Sequence, residues 1–401
     1  MVEALALGAL GLLGYAVISQ RTANSVLTAP MWFTAFGGLL FLLVGSPADL
    51  RMQAEWVHLV AEIALVVVLF TDASQLDLAR LRRERALPVR LLGVGLPLTI
   101  ALGALGARLV FPQMSWWEAG LVASILAPTD AALGQAVISN PAVPARIRQA
   151  LGVESGMNDG IALPVVLLCL YAFEREHTHA AGAGYWLSFV SMQLALGPLT
   201  GAAVGALGGK LVTAASGARW MSRGFQQLSL ISLAVLAFAL AETLGGNGFL
   251  AAFVGGLVLG NTAREACRRV LDFGETEGQL LTAVTFMTFG ALMVPFALKH
   301  ADARAWLYAL ASLTVLRGVP VALSLAGLRL DRATTLFLAW FGPRGIASLL
   351  YALLVVEAAD LDVADDVVTV VSVTVLASVV LHGVTAAPWA KAYGARRGGG
   401  S

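Results

Sequence analysis

The chain has 401 residues, of which 58% are hydrophobic and 13% charged, and its formal net charge is +1. Soluble proteins carry roughly a quarter charged residues, so a water-soluble chain of this size is excluded: it has too few charges to cover its surface. The balanced charge offers no basic face for nucleic acid, and two cysteines in separate segments, Cys169 and Cys267, argue against a disulfide or a metal site.

A helix that crosses the hydrocarbon layer needs about 20 mostly apolar residues. Gly, Pro and charge clusters divide the chain into thirteen such windows, at 2–19, 29–45, 54–71, 88–110, 116–138, 149–173, 185–212, 226–243, 247–260, 280–298, 303–326, 333–356 and 366–390. Open sheet edges cannot face lipid, so the expected fold is an all-α membrane bundle of about thirteen transmembrane helices. The alternating pattern of an outer-membrane barrel is absent. The first window, Val2–Ser19, lacks a basic start and reads as a retained helix. The segment 391–401 ends in Gly-Gly-Gly-Ser and reads as a tail carrying a linker scar, with the natural chain expected to continue.

Arg and Lys stay on the cytoplasmic side. With the N-terminus outside, nineteen of the 26 basic residues fall in cytoplasmic loops, among them Arg80, Arg82, Arg83, Arg85, Arg264, Arg268 and Arg269. Five fall outside, and Arg317 and Arg344 lie within windows. The C-terminus is then cytoplasmic.

Ionisable residues deep in a bilayer cost several kcal/mol and mark function by default. Window five carries Asp130, window six Glu154 and Asp159, window eleven Arg317 and window twelve Arg344. At about 1.5 Å per residue, Asp159 lies about 15 Å into its helix, half the thickness of the hydrocarbon core. Windows five and twelve are also interrupted by proline beside their charge, in Leu126-Ala-Pro-Thr-Asp130 and Phe341-Gly-Pro-Arg-Gly345. The freed half-helix ends carry partial charges that Asp130 and Arg344 can compensate. The two windows are seven apart and cross in opposite directions. Such a pair in two inverted halves points to a secondary transporter's binding site.

In window six, Ser155 and Asp159 share a helix face, whereas Glu154 stands about 140° away from Asp159. Arg317 is the best partner for a buried Glu154, which leaves Asp159 as the exchangeable carboxylate. His382 is deep enough to matter but reads equally as a packing residue, and Trp116, Trp117 and Trp389 read as interfacial anchors.

Together these runs resemble the monovalent cation/proton antiporters. Ala127-Pro-Thr-Asp130, Glu154-Ser-Gly-Met-Asn-Asp-Gly160, Arg317-Gly-Val-Pro and Trp340-Phe-Gly-Pro-Arg-Gly-Ile-Ala-Ser348 match that family's pattern in order along nearly the whole chain. The Asn158-Asp159 pair is similar to the electroneutral, NhaP-like branch, whereas the electrogenic branch usually has two consecutive Asp residues there. Ala131 is a small departure that touches no proposed ligand.

The resemblance implies an inverted-repeat antiporter fold with two crossed, broken helices at the midplane. It implies a homodimer in which 1–78 and 226–298 form the dimer side, 88–173 and 303–390 the transport core, and 185–212 a linking helix. It also implies a cation held by Thr129, Ser155, Asn158 and Asp159, with Asp72 of Phe70-Thr-Asp-Ala-Ser74 as a further acidic ligand. No cofactor is implied, only transported Na⁺ (or Li⁺ or K⁺) and H⁺. The expected activity is exchange of Na⁺ for a proton, one for one, by alternating access, with K⁺/H⁺ exchange as the alternative. An intramembrane aspartyl protease built on Asp130 and Asp159 would need a Gly-x-Gly-Asp run, and Asn158 occupies the second Gly position. A channel has no need of a mobile carboxylate.

Overall fold

The computed structural model describes residues 2–22, 25–44, 50–78, 86–138, 140–178, 183–263, 279–280, 282–358 and 361–398. Cys267, His179 and the basic residues Arg80, Arg82, Arg83, Arg85, Arg264, Arg268 and Arg269 lie outside them. Every regular element among the described residues is a helix. In chain order these are α1 (Val2–Thr22), α2 (Ala29–Val44), α3 (Leu50–Gln75), α4 (Ala86–Val110), α5 (Trp116–Leu126), α6 (Ala131–Ile138), α7 (Ala145–Thr178) and α8 (Ala183–Gly217). Then follow α9 (Arg223–Thr243), α10 (Gly248–Thr262), α11 (Thr282–His300), α12 (Ala303–Ser324), α13 (Arg332–Trp340), α14 (Ile346–Ala358) and α15 (Leu361–Gly398). Seven of them, α4, α7, α8, α9, α11, α12 and α15, contain stretches long and apolar enough to cross a membrane. The others hold shorter apolar stretches or none that reach this length.

Local chemistry sets many boundaries. Ser115 and Glu118 cap the start of α5 reciprocally, each side chain accepting the other's backbone N–H. Asp302 accepts from the N–H groups of Arg304 and Ala305 at 2.9 Å to start α12. Asn247 accepts from Leu250 N–H at 2.9 Å, and Glu242 from Gly248 N–H at 2.7 Å, so Glu242 is a capping residue for α10. Prolines act unequally. Pro164, Pro198 and Pro388 sit inside continuous helices. Pro97 and Pro295 each follow a π-helical turn, at Leu91–Gly95 and Phe289–Met293, that accommodates the missing donor. At Pro128 and Pro343 the windows separate into two helices, α5 with α6 and α13 with α14. The backbone of α12 is also distorted at Thr314 (φ −115°, ψ −80°), one turn before Arg317. The last helix, α15, runs on through Gly398, so residues 391–398 of the expected tail are helical.

The chain forms two compact units. One comprises Met1–Ala54, Ala86–Asn158 and Thr282–Ser401, the other Glu55–Arg85 and Asp159–Leu281. In the first, an apolar cluster joins α4, α6, α7, α12, α13 and α15 through Leu91, Val137, Ile147, Val321, Leu338 and Ala386. Lipid tails are as apolar as leucine, so such helices associate by van der Waals fit more than by leaving water. The second unit shows the same rule. Helices α8 and α10 approach so closely that a Cβ added at Gly201 would stand 2.1 Å from the carbonyl oxygen of Ala251.

Gly201→Ala is therefore expected to push α8 from α10 and lower the thermal stability of the detergent-solubilised protein by about 1–3 kcal/mol, the usual cost of overpacking. Gly217→Ala, at a position with no heavy atom within 4 Å of the new Cβ, leaves the melting temperature unchanged.

Candidate functional site

The two helix breaks meet. The N–H of Asp130 donates to the carbonyl of Pro343 at 2.8 Å, joining the first break to the second by backbone. Asp130 holds the N-cap position of α6, yet its Oδ2 accepts from Ile346 N–H at 2.6 Å, at the start of α14. Arg344 makes the reverse connection. Its Nη1 donates to the carbonyls of Gly342, 2.8 Å away at the end of α13, and Pro128, 3.4 Å away beyond the end of α5. A carboxylate thus meets the positive end of one half-helix, and a guanidinium the negative ends of two others. Ser348 Oγ adds a bond to the Ile125 carbonyl in the last turn of α5, at 2.8 Å.

Glycine makes this convergence possible. A Cβ at Gly345 would stand 1.8 Å from Asp130 Oδ2, and one at Gly342 1.7 Å from Arg317 Nε. Both charged groups lie directly on the backbone of the second break. Arg317 also meets Glu154, Nη2 to Oε1 at 2.8 Å, with side chains only 3% and 6% exposed. The pairing expected from the sequence is therefore present. Arg344 is fully buried, and Arg317 and Glu154 are among the charges acting on it.

Behind the break, α15 contributes residues that no sequence motif marks. Ser378 Oγ accepts the N–H of Arg344 at 2.7 Å, and His382 Nδ1 lies 3.1 Å from Ser378 Oγ. His382 Nε2 lies 2.9 Å from the carbonyl of Trp340. A carbonyl only accepts, so Nε2 is placed to donate to Trp340, while Nδ1 is within reach of both the Ser378 hydroxyl and, at 3.2 Å, the Ser378 carbonyl. His382 is thus a hydrogen-bonded residue of the break as well as a packing one. The available signal was faint: Ser378 and His382 are four apart on one helix face.

Thr129, Ser155 and Asn158 come together beside these charges. Thr129 Oγ1 lies 3.3 Å from Ser155 Oγ, and Asn158 Nδ2 donates to Thr129 Oγ1 at 2.7 Å and to the Thr129 carbonyl at 3.1 Å. The carbonyl contact sets the amide's orientation, because only the nitrogen can face an acceptor. Asn158 Oδ1 is consequently turned away from Thr129, buried and without a hydrogen-bond partner. Such an oxygen is rare in a protein interior and suits a cation ligand. Asp159 follows Asn158 on α7 and is half-buried, one turn beyond Ser155. Asp72 is half-buried in the last turn of α3.

The pattern of the family described as "Sodium/hydrogen exchanger, transmembrane" matches residues 8–392. The chain belongs to the sodium/hydrogen exchanger family. It is thus a multi-pass membrane protein. The K(+)/H(+) antiporter NhaP2 of Shewanella baltica (strain OS223) is 26% identical over 345 residues, covering 82% of this chain and 58% of that protein. The probable Na(+)/H(+) antiporter C3A11.09 of Schizosaccharomyces pombe is 26% identical over 318 residues, covering 74% of this chain and 41% of that protein. The chain therefore spans little more than half the length of the first relative and less of the second. Its fold is similar to that of the sodium proton antiporter MjNhaP1 from Methanocaldococcus jannaschii at pH 8, with a TM-score of 0.76 at 17% identity over 98% of this chain and 97% of that one. The resemblance to the NhaP-like branch, read from Asn158-Asp159, agrees with these relatives.

Breaking a buried ion pair from one side leaves an uncompensated charge, typically at a cost of about 3–5 kcal/mol. Arg317→Ala is expected to lower the melting temperature sharply. Glu154→Gln combined with Arg317→Met should recover part of that loss. Differential scanning fluorimetry of the three proteins measures both effects, and an unchanged melting temperature in Arg317→Ala contradicts a structural role for the pair.

Proposed function

We propose that this exchanger-family chain swaps one monovalent cation for one proton across the membrane by alternating access, with Asp159 as the carboxylate that carries either ion. Support comes from the buried cluster of Thr129, Ser155 and Asn158 oxygens beside Asp159 on α7, with Asn158 Oδ1 unmatched by any donor. Ion sites in membranes are built from such oxygen groups, which replace water around the cation. Asp72 joins the ligand set by family resemblance.

The coupling follows from charge. A bare carboxylate carried through an apolar barrier costs several kcal/mol. A proton or a cation each removes that charge, and the two compete for the same oxygens. The bundle then rocks only with Asp159 neutralised, and each ion travels in the half-cycle that the other does not. Asn158 is uncharged, so one proton balances one cation and exchange is electroneutral. Glu154 with Arg317, and Asp130 with Arg344, keep their charges throughout as fixed structure around the breaks.

Na⁺ is the first candidate, with K⁺ the alternative that the Shewanella relative's name favours. The proposed assembly is a homodimer, with 88–173 and 303–390 moving against 1–78 and 226–298, and 185–212 linking them. The proposed orientation puts the N-terminus outside and the C-terminus in the cytoplasm.

In proteoliposomes with an imposed pH gradient, the wild type is expected to exchange Na⁺ or K⁺ for H⁺ at a rate insensitive to a voltage clamp. Asp159→Asn should reduce exchange to background while the protein keeps its melting temperature, and persistent exchange in that variant would refute the assignment. Asn158→Asp adds a second carboxylate and should make any remaining exchange respond to voltage.

A further inference from the structure

A groove of about 550 Å³ runs between α12, α13 and α15, within the first unit. Its walls are almost wholly apolar, with Leu313 and Gly318 on α12, Leu336 and Trp340 on α13, and Trp389 on α15, and it finishes at Arg396. The other end reaches Thr314, where α12 is distorted. The groove therefore runs from a helix distortion one turn before Arg317 to a guanidinium near the end of α15.

The charged end is composed of more than one residue. Tyr393 Oη lies 2.7 Å from Thr334 Oγ1, which ties α15 to the start of α13. Beyond that tie, α15 leads outward to Arg396 and the antiparallel α13 leads outward to Arg332, so both exposed guanidiniums flank one mouth. On α13, Arg332 is four residues before the groove residue Leu336 and shares its face. Asp331 also lies at this mouth, where its Oδ1 accepts from Thr334. Among the described side chains placed here, Arg332 and Arg396 outnumber Asp331, which leaves net positive charge at this end of the apolar groove. Trp340 and Trp389 pack on each other at 5.3 Å between ring centroids, and Trp340 Nε1 donates to Thr385 at 2.9 Å. The indole polar atom of Trp340 is thereby satisfied within the protein, and its ring offers the groove a purely apolar surface.

We propose that this groove holds one acyl chain of an anionic phospholipid whose phosphate sits between Arg332 and Arg396. Arginine pairs with phosphate through two parallel hydrogen bonds, and basic residues beside the membrane surface favour anionic headgroups. A zwitterionic lipid would bring its own cationic group to a mouth that is already positive. Under the orientation proposed above, the lipid comes from the cytoplasmic leaflet. Its tail would contact Trp340, the last residue of α13 before the break, and so touch the transport machinery without adding to the ion site. This binding site is independent of which cation is exchanged.

The two tryptophans supply the readout. The protein is reconstituted into phosphatidylcholine bilayers, and phosphatidylglycerol with brominated acyl chains is titrated in while tryptophan fluorescence is recorded. A parallel titration uses brominated phosphatidylcholine in the same background. The expected result is a saturable quenching component that prefers phosphatidylglycerol roughly tenfold, as two arginines beside one phosphate imply. That component disappears in Trp340→Phe/Trp389→Phe, and its preference falls to near unity in Arg332→Gln/Arg396→Gln. Equal quenching by both lipids, or a preference that survives either double variant, overturns the proposal. So does a complete absence of quenching from these two residues, which would mean that another protein surface, such as a second copy, covers the groove. Ion exchange activity is not part of this readout, so its outcome stands apart from that of the Asp159 assignment.

Discussion

The structure depends on two interrupted helices compensating each other's ends. A helix broken inside an apolar layer exposes N–H and C=O groups that neither lipid nor its own continuation can satisfy. Here the remedy is exchanged between the breaks. Asp130, from the first, takes the N–H of Ile346 that opens α14. Arg344, from the second, reaches the Gly342 and Pro128 carbonyls beyond α13 and α5. The backbone bond from Asp130 to Pro343 holds the two together. Neither break is satisfiable alone, so neither helix can be straightened or removed without stranding groups in the other.

Several other buried polar groups are arranged around that exchange. Ser378 and His382 occupy the Arg344 N–H and the Trp340 carbonyl from behind. Arg317 rests on Gly342 and turns its outer nitrogen to Glu154. Glycine at 342 and 345 is a requirement of distance, since a methyl group would occupy the space of a guanidinium or a carboxylate. A frame of this kind is preorganised, because its charges are met by fixed partners already in place.

On the proposed reading, selectivity and stoichiometry are separate problems with separate residues. Stoichiometry follows from the charge count at positions 158 and 159, where a neutral amide precedes one carboxylate. Selectivity depends on how the hydroxyls of Thr129 and Ser155 and the amide oxygen of Asn158 share a cation's coordination. Asn158 is the hinge between the two, because its amide nitrogen is committed to Thr129 and its oxygen is not.

Much of this was legible in the order of residues. Composition and long apolar runs require a lipid-embedded helical chain, because so few charges cannot solvate it. Asp130, Glu154, Asp159, Arg317 and Arg344 stand out because an ionisable group in an apolar run is costly enough to demand a reason. Helical spacing set Glu154 apart from Asp159 and directed it to Arg317, as found. Other features were settled only in three dimensions. Pro128 and Pro343 break their helices while Pro164, Pro198 and Pro388 do not, although each removes one donor. The difference lies in whether a distant segment brings a charge to the freed ends. For the same reason the roles of Ser378, His382 and the two glycines are not readable along the chain, although His382 stands out by its depth and Gly342 and Gly345 lie in the run around Pro343. A serine, a histidine or a glycine acquires its role from what approaches it, and in a packed bundle that neighbour is fixed by tertiary contact alone.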